Sequence, residues 1–187
     1  MRTFLALKIS DEAVNDIYNL QNELKKYTVK GRWIHKDNFH ITIKFFGETN
    51  VDDISKIKQA VEKSVINFIP FMIKLSHIGC FKGNNSYRIL WIGIEEDKNI
   101  ISLHNKINEE LRKAGFKRDD RKYKAHITIG RDILLTKDID NINNIFNFNT
   151  KPFAISNVYL MESKIENNKR EYIPIIAVPF INNKQVD

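Results

Sequence analysis

Residues 40–43 read HITI, and residues 126–129 read HITI again, 86 positions later (126 less 40), in a chain of 187 residues with five histidines. Along a β-strand successive side chains point to opposite faces. His40 and Thr42 therefore share one face and Ile41 and Ile43 the other; His126 and Thr128 are divided from Ile127 and Ile129 in the same way. Each tetrapeptide offers aliphatic groups to a core. On its other face it sets an imidazole beside a hydroxyl, about 7 Å apart at Cα. A lone His-x-Thr on a strand is commonly just a satisfied polar edge. Duplication in matching contexts points instead to two such pairs converging on one group.

The flanking segments extend this reading. FLALKI (4–9) is a β-type run, and Ser10 and Asp11 can cap a helix over 11–26 with Val14, Ile17, Leu20 and Leu24 at helical spacing. A strand over 39–46 ends at Gly47. Asp52 or Asp53 then caps a second helix with Ile54, Ile57, Val61 and Val65 as its buried stripe. Pro70 opens a hairpin, FMIKLSHIGCF and SYRILWIGIE about the turn KGNN. A third helix spans 98–114, with Ile100, Leu103, Ile107 and Leu111 inward and Gly115 as its stop. The second motif forms a strand over 125–131. The Asn- and Asp-rich stretch 137–149 predicts a loop or short helix, and strands near 153–164 and 170–178 flank the turn ENNK. Each half thus pairs a helix with an HITI strand and a hairpin, although the second half has no obvious counterpart of strand 4–9. The pattern predicts an α+β fold with largely antiparallel sheets, and a single domain over 1–187.

Composition narrows the class. With 42% hydrophobic and 11% aromatic residues the chain can bury a core. No apolar run approaches the ~20 residues of a membrane span. Lys8 interrupts the apolar start MRTFLALKIS and no small-residue cleavage site follows, so this stretch reads as the first strand of a cytoplasmic protein. The single cysteine, Cys80, excludes an internal disulfide and a cysteine-based zinc cluster. A net charge of +7 and a pI near 9.4 suit a polyanionic partner such as RNA, DNA or a nucleotide, or equally a surplus that only aids solubility.

Two imidazoles with ordinary pKa values of about 6.5 can supply a base that activates water and an acid that protonates a leaving oxygen. Threonine hydroxyls can donate to the non-bridging oxygens of a phosphate as charge builds there. Nothing in this set requires a metal or cofactor. Two histidines could bind zinc, but a third ligand and a His-x-x-x-His spacing are lacking. Cys80, in an apolar hairpin, reads as a small core residue and not as a nucleophile.

Taken together, the blocks RWIHKDNFHITIKFFGE, GCF…SYRILWIG, YKAHITIGR and VYLMESKI…REYIPI resemble the 2H phosphoesterases, and within them the RNA 2′,3′-cyclic phosphodiesterases, also described as 2′-5′ RNA ligases. The likeness spans residues 4 to 180 and rests on Trp33, Asn38, Phe45, Gly47, Gly79, Phe81, Arg88, Trp91, Gly93, Leu160, Ser163 and Tyr172 beside the two motifs. Ala125 and Lys82 stand where the family often has proline. The resemblance implies a bilobal, pseudo-twofold fold with two antiparallel sheets lining a cleft and helices outside. It implies a monomeric enzyme that opens RNA 2′,3′-cyclic phosphate ends to 2′-phosphates without metal, with 2′-5′ ligation as a possible side activity. By position, His40 and His126 are its catalytic pair, Thr42 and Thr128 hold the phosphate, and Arg131 is the cation beside it. A binding module that grips RNA ends without turnover stays open. So does the same chemistry on 2′-5′-linked oligonucleotides or other cyclic phosphates.

Other residues carry weaker expectations. Lys44 shares the parity of His40 and Thr42 and could contact RNA phosphate. Arg131 has the parity of the isoleucines and reaches the site only if Gly130 breaks the alternation. Arg88 is either an RNA contact or an ordinary cross-strand charge. Trp33, Phe39 and Phe81 are core by default, Phe39 most clearly, and an aromatic near the cleft could stack on a base. His35, His77 and His104 read as structural. The charge-rich stretch 112–124 is a solvated connector or a track for RNA phosphates.

Overall fold

A computed structural model describes residues 1–84, 86–95, 98–119, 122–146 and 150–180. Strand β1 (Arg2–Lys8) is buried at every interior position, as befits a strand covered on both faces. Helix α1 (Asp11–Lys25) starts where the Ser10 hydroxyl accepts from the Ala13 amide at 3.2 Å, with Asp11 and Glu12 favouring its positive end. Strand β2 (Thr28–Trp33), a 3₁₀ turn (Lys36–Asn38) and β3 (His40–Glu48) follow. Helix α2 (Val51–Val65) opens on a reciprocal capping box between Asn50 and Asp53. Then come β4 (Phe71–Lys82), β5 (Tyr87–Glu95), α3 (Lys98–Lys113), β6 (His126–Leu135) and α4 (Ile139–Ile145), and finally β7 (Phe153–Ile155), β8 (Asn157–Glu166) and β9 (Lys169–Pro179).

The strands form one curled antiparallel sheet in the order β7-β4-β5-β6-β3-β1-β8-β9, with β2 also on β6. The fold class is α+β. The two HITI strands meet at the centre through the single pair Ile41–Ile127, so the two expected sheets join along a seam. Ile41, Ile43, Ile127 and Ile129 are each at most 3% exposed and pack with α1, α2 and α3 in one apolar cluster. Burial of each such side chain contributes about 1.5–3 kcal/mol. The helices thus lock one face of the sheet, which leaves the imidazole face outward. No helix among the described residues is long and apolar enough to cross a membrane.

The offset of 86 governs more than the motifs. Moved by it, β1 falls on 88–94 within β5, α1 on 97–111 against α3, and β4 on 157–168 against β8. Strand β5 is therefore the counterpart of the first strand, and the hairpin of β4 and β5 joins the end of one repeat to the start of the next. Each repeat's long final strand crosses over: β4 pairs with β5, and β8 with β1.

Several boundaries differ from the sequence reading, and β6 runs on to Leu135, past the expected end at 131. Strand β2 is new; TVKGRW is exposed at four of its six positions and has no alternation to betray it. The expected strand 153–164 breaks at Ser156, because β7 pairs with β4 while β8 pairs with β1 and β9. Strand β3 runs on through Gly47, whose φ of +79° lies in the region that favours glycine, to Glu48. Of the stretch 137–149, residues 139–145 form α4 and 147–149 lie outside the described residues, as does Asn85 of the KGNN turn.

Candidate active site

The antiparallel pairing of Ile41 with Ile127 sets His40 across from Thr128 and Thr42 across from His126, all on the face turned from the core. His40 Nδ1 lies 2.7 Å from the Asn38 carbonyl, and His126 Nδ1 lies 2.7 Å from that of Lys124. A carbonyl oxygen only accepts, so each Nδ1 donates and each neutral ring keeps its lone pair on Nε2. The same local bond, back to the residue two before, fixes both tautomers. At His40 the Thr42 hydroxyl donates to Nε2 at 2.9 Å.

Burial pushes the His40 pKa down to about 4, against the Asn38 carbonyl bond and with help from the positive potentials of His126 and Arg131. Burial also lowers His126, against the Lys124 carbonyl bond and aided by the charges of Lys124 and Arg131. Both rings are thus neutral at pH 7.

Each imidazole stands against an aromatic wall. Phe4 and Tyr172 lie 4.9 and 5.1 Å from His40, ring centre to ring centre. On the other side Phe81 meets His126 edge-on at 5.3 Å and Trp91 lies 6.0 Å away, with Lys124 Nζ 4.1 Å from the Trp91 ring centre. Trp91 is 2% exposed and fits because Gly79 faces it; a Cβ at Gly79 would lie 2.1 Å from Trp91 Cη2.

Arg131 reaches the site through a bulge. Trp91 pairs with Thr128 and Leu90 with Gly130, which leaves Ile129 as the extra residue and reverses the parity beyond it. Gly130 suits this position because a Cβ there would lie 2.7 Å from Ile133 Cγ1. The Arg131 charge acts on both histidines.

Strand β3 carries an equivalent bulge, and there one expectation fails. Ala6 pairs with Thr42 and Leu5 with Lys44, so Ile43 is extra and Lys44 turns to the core side. Lys44 is 8% exposed, and its Nζ donates to Asn108 Oδ1 at 3.0 Å and to the Lys117 carbonyl at 2.8 Å. Phe45 takes the cleft face in its place, 5.7 Å from Phe4. Positions 45 and 131 are themselves 86 apart, so Phe45 is the counterpart of Arg131.

The remaining candidates separate clearly. Arg88 is exposed near the β4–β5 turn, close to Gly83. Phe39 is buried in the core, while Trp33 sits half-buried beside Gly130 and lines a cavity next to the site. Phe81 faces His126. His35 is exposed beside Asp37, and His77 lies 5.5 Å from Trp91 at the surface. His104 is buried, stacked on Tyr123 at 3.8 Å, and bonded to Asn108. Tyr123, which no sequence pattern singled out, donates to the Thr42 carbonyl at 2.9 Å and so ties the two motifs together. Residues 120 and 121 of the charged stretch lie outside the described residues.

A cavity of about 1120 Å³ adjoins His40 through Phe4, Asn38 and Tyr172, and Arg131 and Phe45 line it. Among the described residues no group of three or more His, Cys, Asp or Glu side chains converges to hold a metal ion.

Known proteins resemble this chain in sequence and in fold. The chain is 37% identical over 141 residues, 75% of each chain, to the RNA 2′,3′-cyclic phosphodiesterase of Methanocaldococcus jannaschii. It is 34% identical to the protein of the same name from Archaeoglobus fulgidus, over 70% of this chain and 72% of that one. The structure of Escherichia coli LigT complexed with 3′-AMP superposes with a TM-score of 0.79 at 20% identity, covering 96% of this chain and 97% of that one, a likeness of fold. The profile of the family described as LigT like Phosphoesterase matches twice, over residues 7–91 and 92–169, once for each HITI strand. With both halves matched and the repeated strands joined at one seam, the chain belongs to the LigT-like (2H) phosphoesterase family.

Proposed function

We propose that this protein hydrolyses RNA 2′,3′-cyclic phosphate ends to 2′-phosphomonoesters by paired histidine acid–base catalysis. One observation carries the reading: two imidazoles with Nδ1 tied to a carbonyl stand across from each other's threonine on one open face. A phosphate between them would accept from the Thr42 and Thr128 hydroxyls, with the Arg131 guanidinium balancing its charge. His126, whose Nε2 has no protein partner among the described residues, takes a proton from water. The water oxygen bonds to phosphorus, and the P–O3′ bond breaks. His40 gives its proton to the departing O3′, leaving a 3′-hydroxyl and a 2′-phosphate. The negative substrate beside His40 raises its pKa and so loads that proton. A 5′-hydroxyl in place of water would give a 2′-5′ linkage by the same steps.

A product-resolved assay in EDTA on nucleoside and RNA 2′,3′-cyclic phosphates and on 2′-5′-linked oligonucleotides tests this. The expected product is the 2′-phosphomonoester. Tight binding with no product after long incubation would favour an RNA-end receptor.

The pH dependence has a definite sign. The productive free enzyme carries one proton between two imidazoles whose pKa values both lie below 6.5, one of them near 4. The kcat/KM profile should therefore peak below pH 6.5 and fall about tenfold per unit at higher pH. The kcat profile, which reports the substrate-bound enzyme, should be displaced to higher pH. A kcat/KM maximum above pH 8 would count against neutral, depressed histidines as the acid–base pair.

A further inference from the structure

We propose that the cavity beside His40 carries the single-stranded RNA segment immediately 5′ of the reacting end, an assignment that rests on the phosphodiesterase reading above. A 3′-terminal cyclic phosphate has chain on its 5′ side only, so one exit from the site suffices. The histidines and threonines are arranged with near twofold regularity, but their surroundings are not. At the equivalent positions 45 and 131 the first half places a phenylalanine and the second an arginine. Trp91, 2% exposed, closes the second-half side with Phe81 and Lys124 against it.

The first-half side is open. Its cavity of about 1120 Å³ exceeds the roughly 300–1,000 Å³ of sites for single small molecules, so it has room for more than one nucleotide. Phe45 is 67% exposed there, whereas Phe4 beneath it is 2% exposed. An exposed ring on a buried ring is a platform for a base. The cations around it differ in how they are used. Arg2 and Arg32 already face Glu48 and Asp132, at 3.8 and 2.6 Å. Arg131 and Arg170 have no carboxylate within 4.0 Å among the described residues, and Arg170 Nη1 is steadied by the Ser163 hydroxyl at 2.6 Å. Arg131 stands at the reacting phosphate, and Arg170, also in the cavity wall, can meet a phosphate further along the strand. Stacking rings interleaved with unpaired cations are what single-stranded nucleic acid requires, and they read no particular sequence.

The test compares kcat/KM on a nucleoside 2′,3′-cyclic phosphate with that on a 5′-extended tetranucleotide ending in the same group. The wild-type protein should favour the tetranucleotide about tenfold or more. Phe45→Ala and Arg170→Ala, both at exposed positions, should each erode that preference several-fold, and together should abolish most of it. Phe45→Trp should restore it. In the tetranucleotide reaction, Arg170→Ala should also reduce the salt slope of log kcat/KM by about one. Fluorescence anisotropy with the labelled tetranucleotide reads the same groove without turnover, and both alanine variants should weaken binding. Equal losses on both substrates would mean that the cavity holds only the terminal nucleotide and would overturn the proposal. So would unchanged tetranucleotide binding and turnover. A wild-type protein inert on both substrates would overturn the phosphodiesterase reading instead, and anisotropy would still decide the fate of the groove.

Discussion

Replacing His40 or His126 with alanine is expected to lower kcat on a cyclic-phosphate end by roughly 10²–10⁴-fold, measured in EDTA. Each imidazole has a task the other cannot take over, because one must be neutral and the other charged at the same moment. The double variant should be little slower than the worse single one, since groups that act in one step are not additive. Overall structure should survive. His126 is held by a local bond to its own strand's approach, and His40 lies at the edge of the small cluster of Phe4, Ala6 and Met161. Circular dichroism and thermal melting would confirm this. Full activity in either single variant would remove the two-histidine mechanism.

The second large effect is expected at a residue with no polar group at all. Gly79→Ala places a methyl 2.1 Å from Trp91 Cη2 and 2.3 Å from Cζ2. These atoms belong to a rigid ring that is almost wholly buried, and its neighbours Leu90 and Ile92 are fully buried. The indole must shift, and Phe81 and His126 lie against it. Overpacking of this kind costs about 1–3 kcal/mol. For a chain of this size that lowers Tm by roughly 2–12 °C. A tenfold or greater loss of kcat should accompany it, together with a shift in tryptophan fluorescence. An unchanged Tm and an unchanged rate would show that the indole is not what fixes the wall behind His126.

The sequence exposed the two motif strands and the helices because their signals are local. The isoleucines of HITI alternate with His and Thr, and the stripes of α1, α2 and α3 recur at helical spacing. What stayed hidden depends on pairing between distant segments. Lys44 looked like a cleft residue because parity was counted on a regular strand, and the bulge at Ile43 follows from the register with β1, which no local pattern announces. At Arg131 the glycine before it gave a warning, and the bulge there proved equivalent. Strand β2 lacks alternation, and the break at Ser156 follows from β7 and β8 serving opposite ends of the sheet. Tyr123 was missed for the same reason: its partner, the Thr42 carbonyl, is 81 residues away.

The crossing of β4 and β8 bears on how the chain matures. Strand β1 precedes the other described elements, yet its second neighbour is β8, and Leu5 pairs with Leu160 from the second repeat. During synthesis the edge of β1 that β8 covers therefore remains free until β8 itself has left the ribosome, open to mispairing with other nascent chains. Neither repeat encodes a sheet it can complete alone. The sheet is completed only once segments of both repeats have been made.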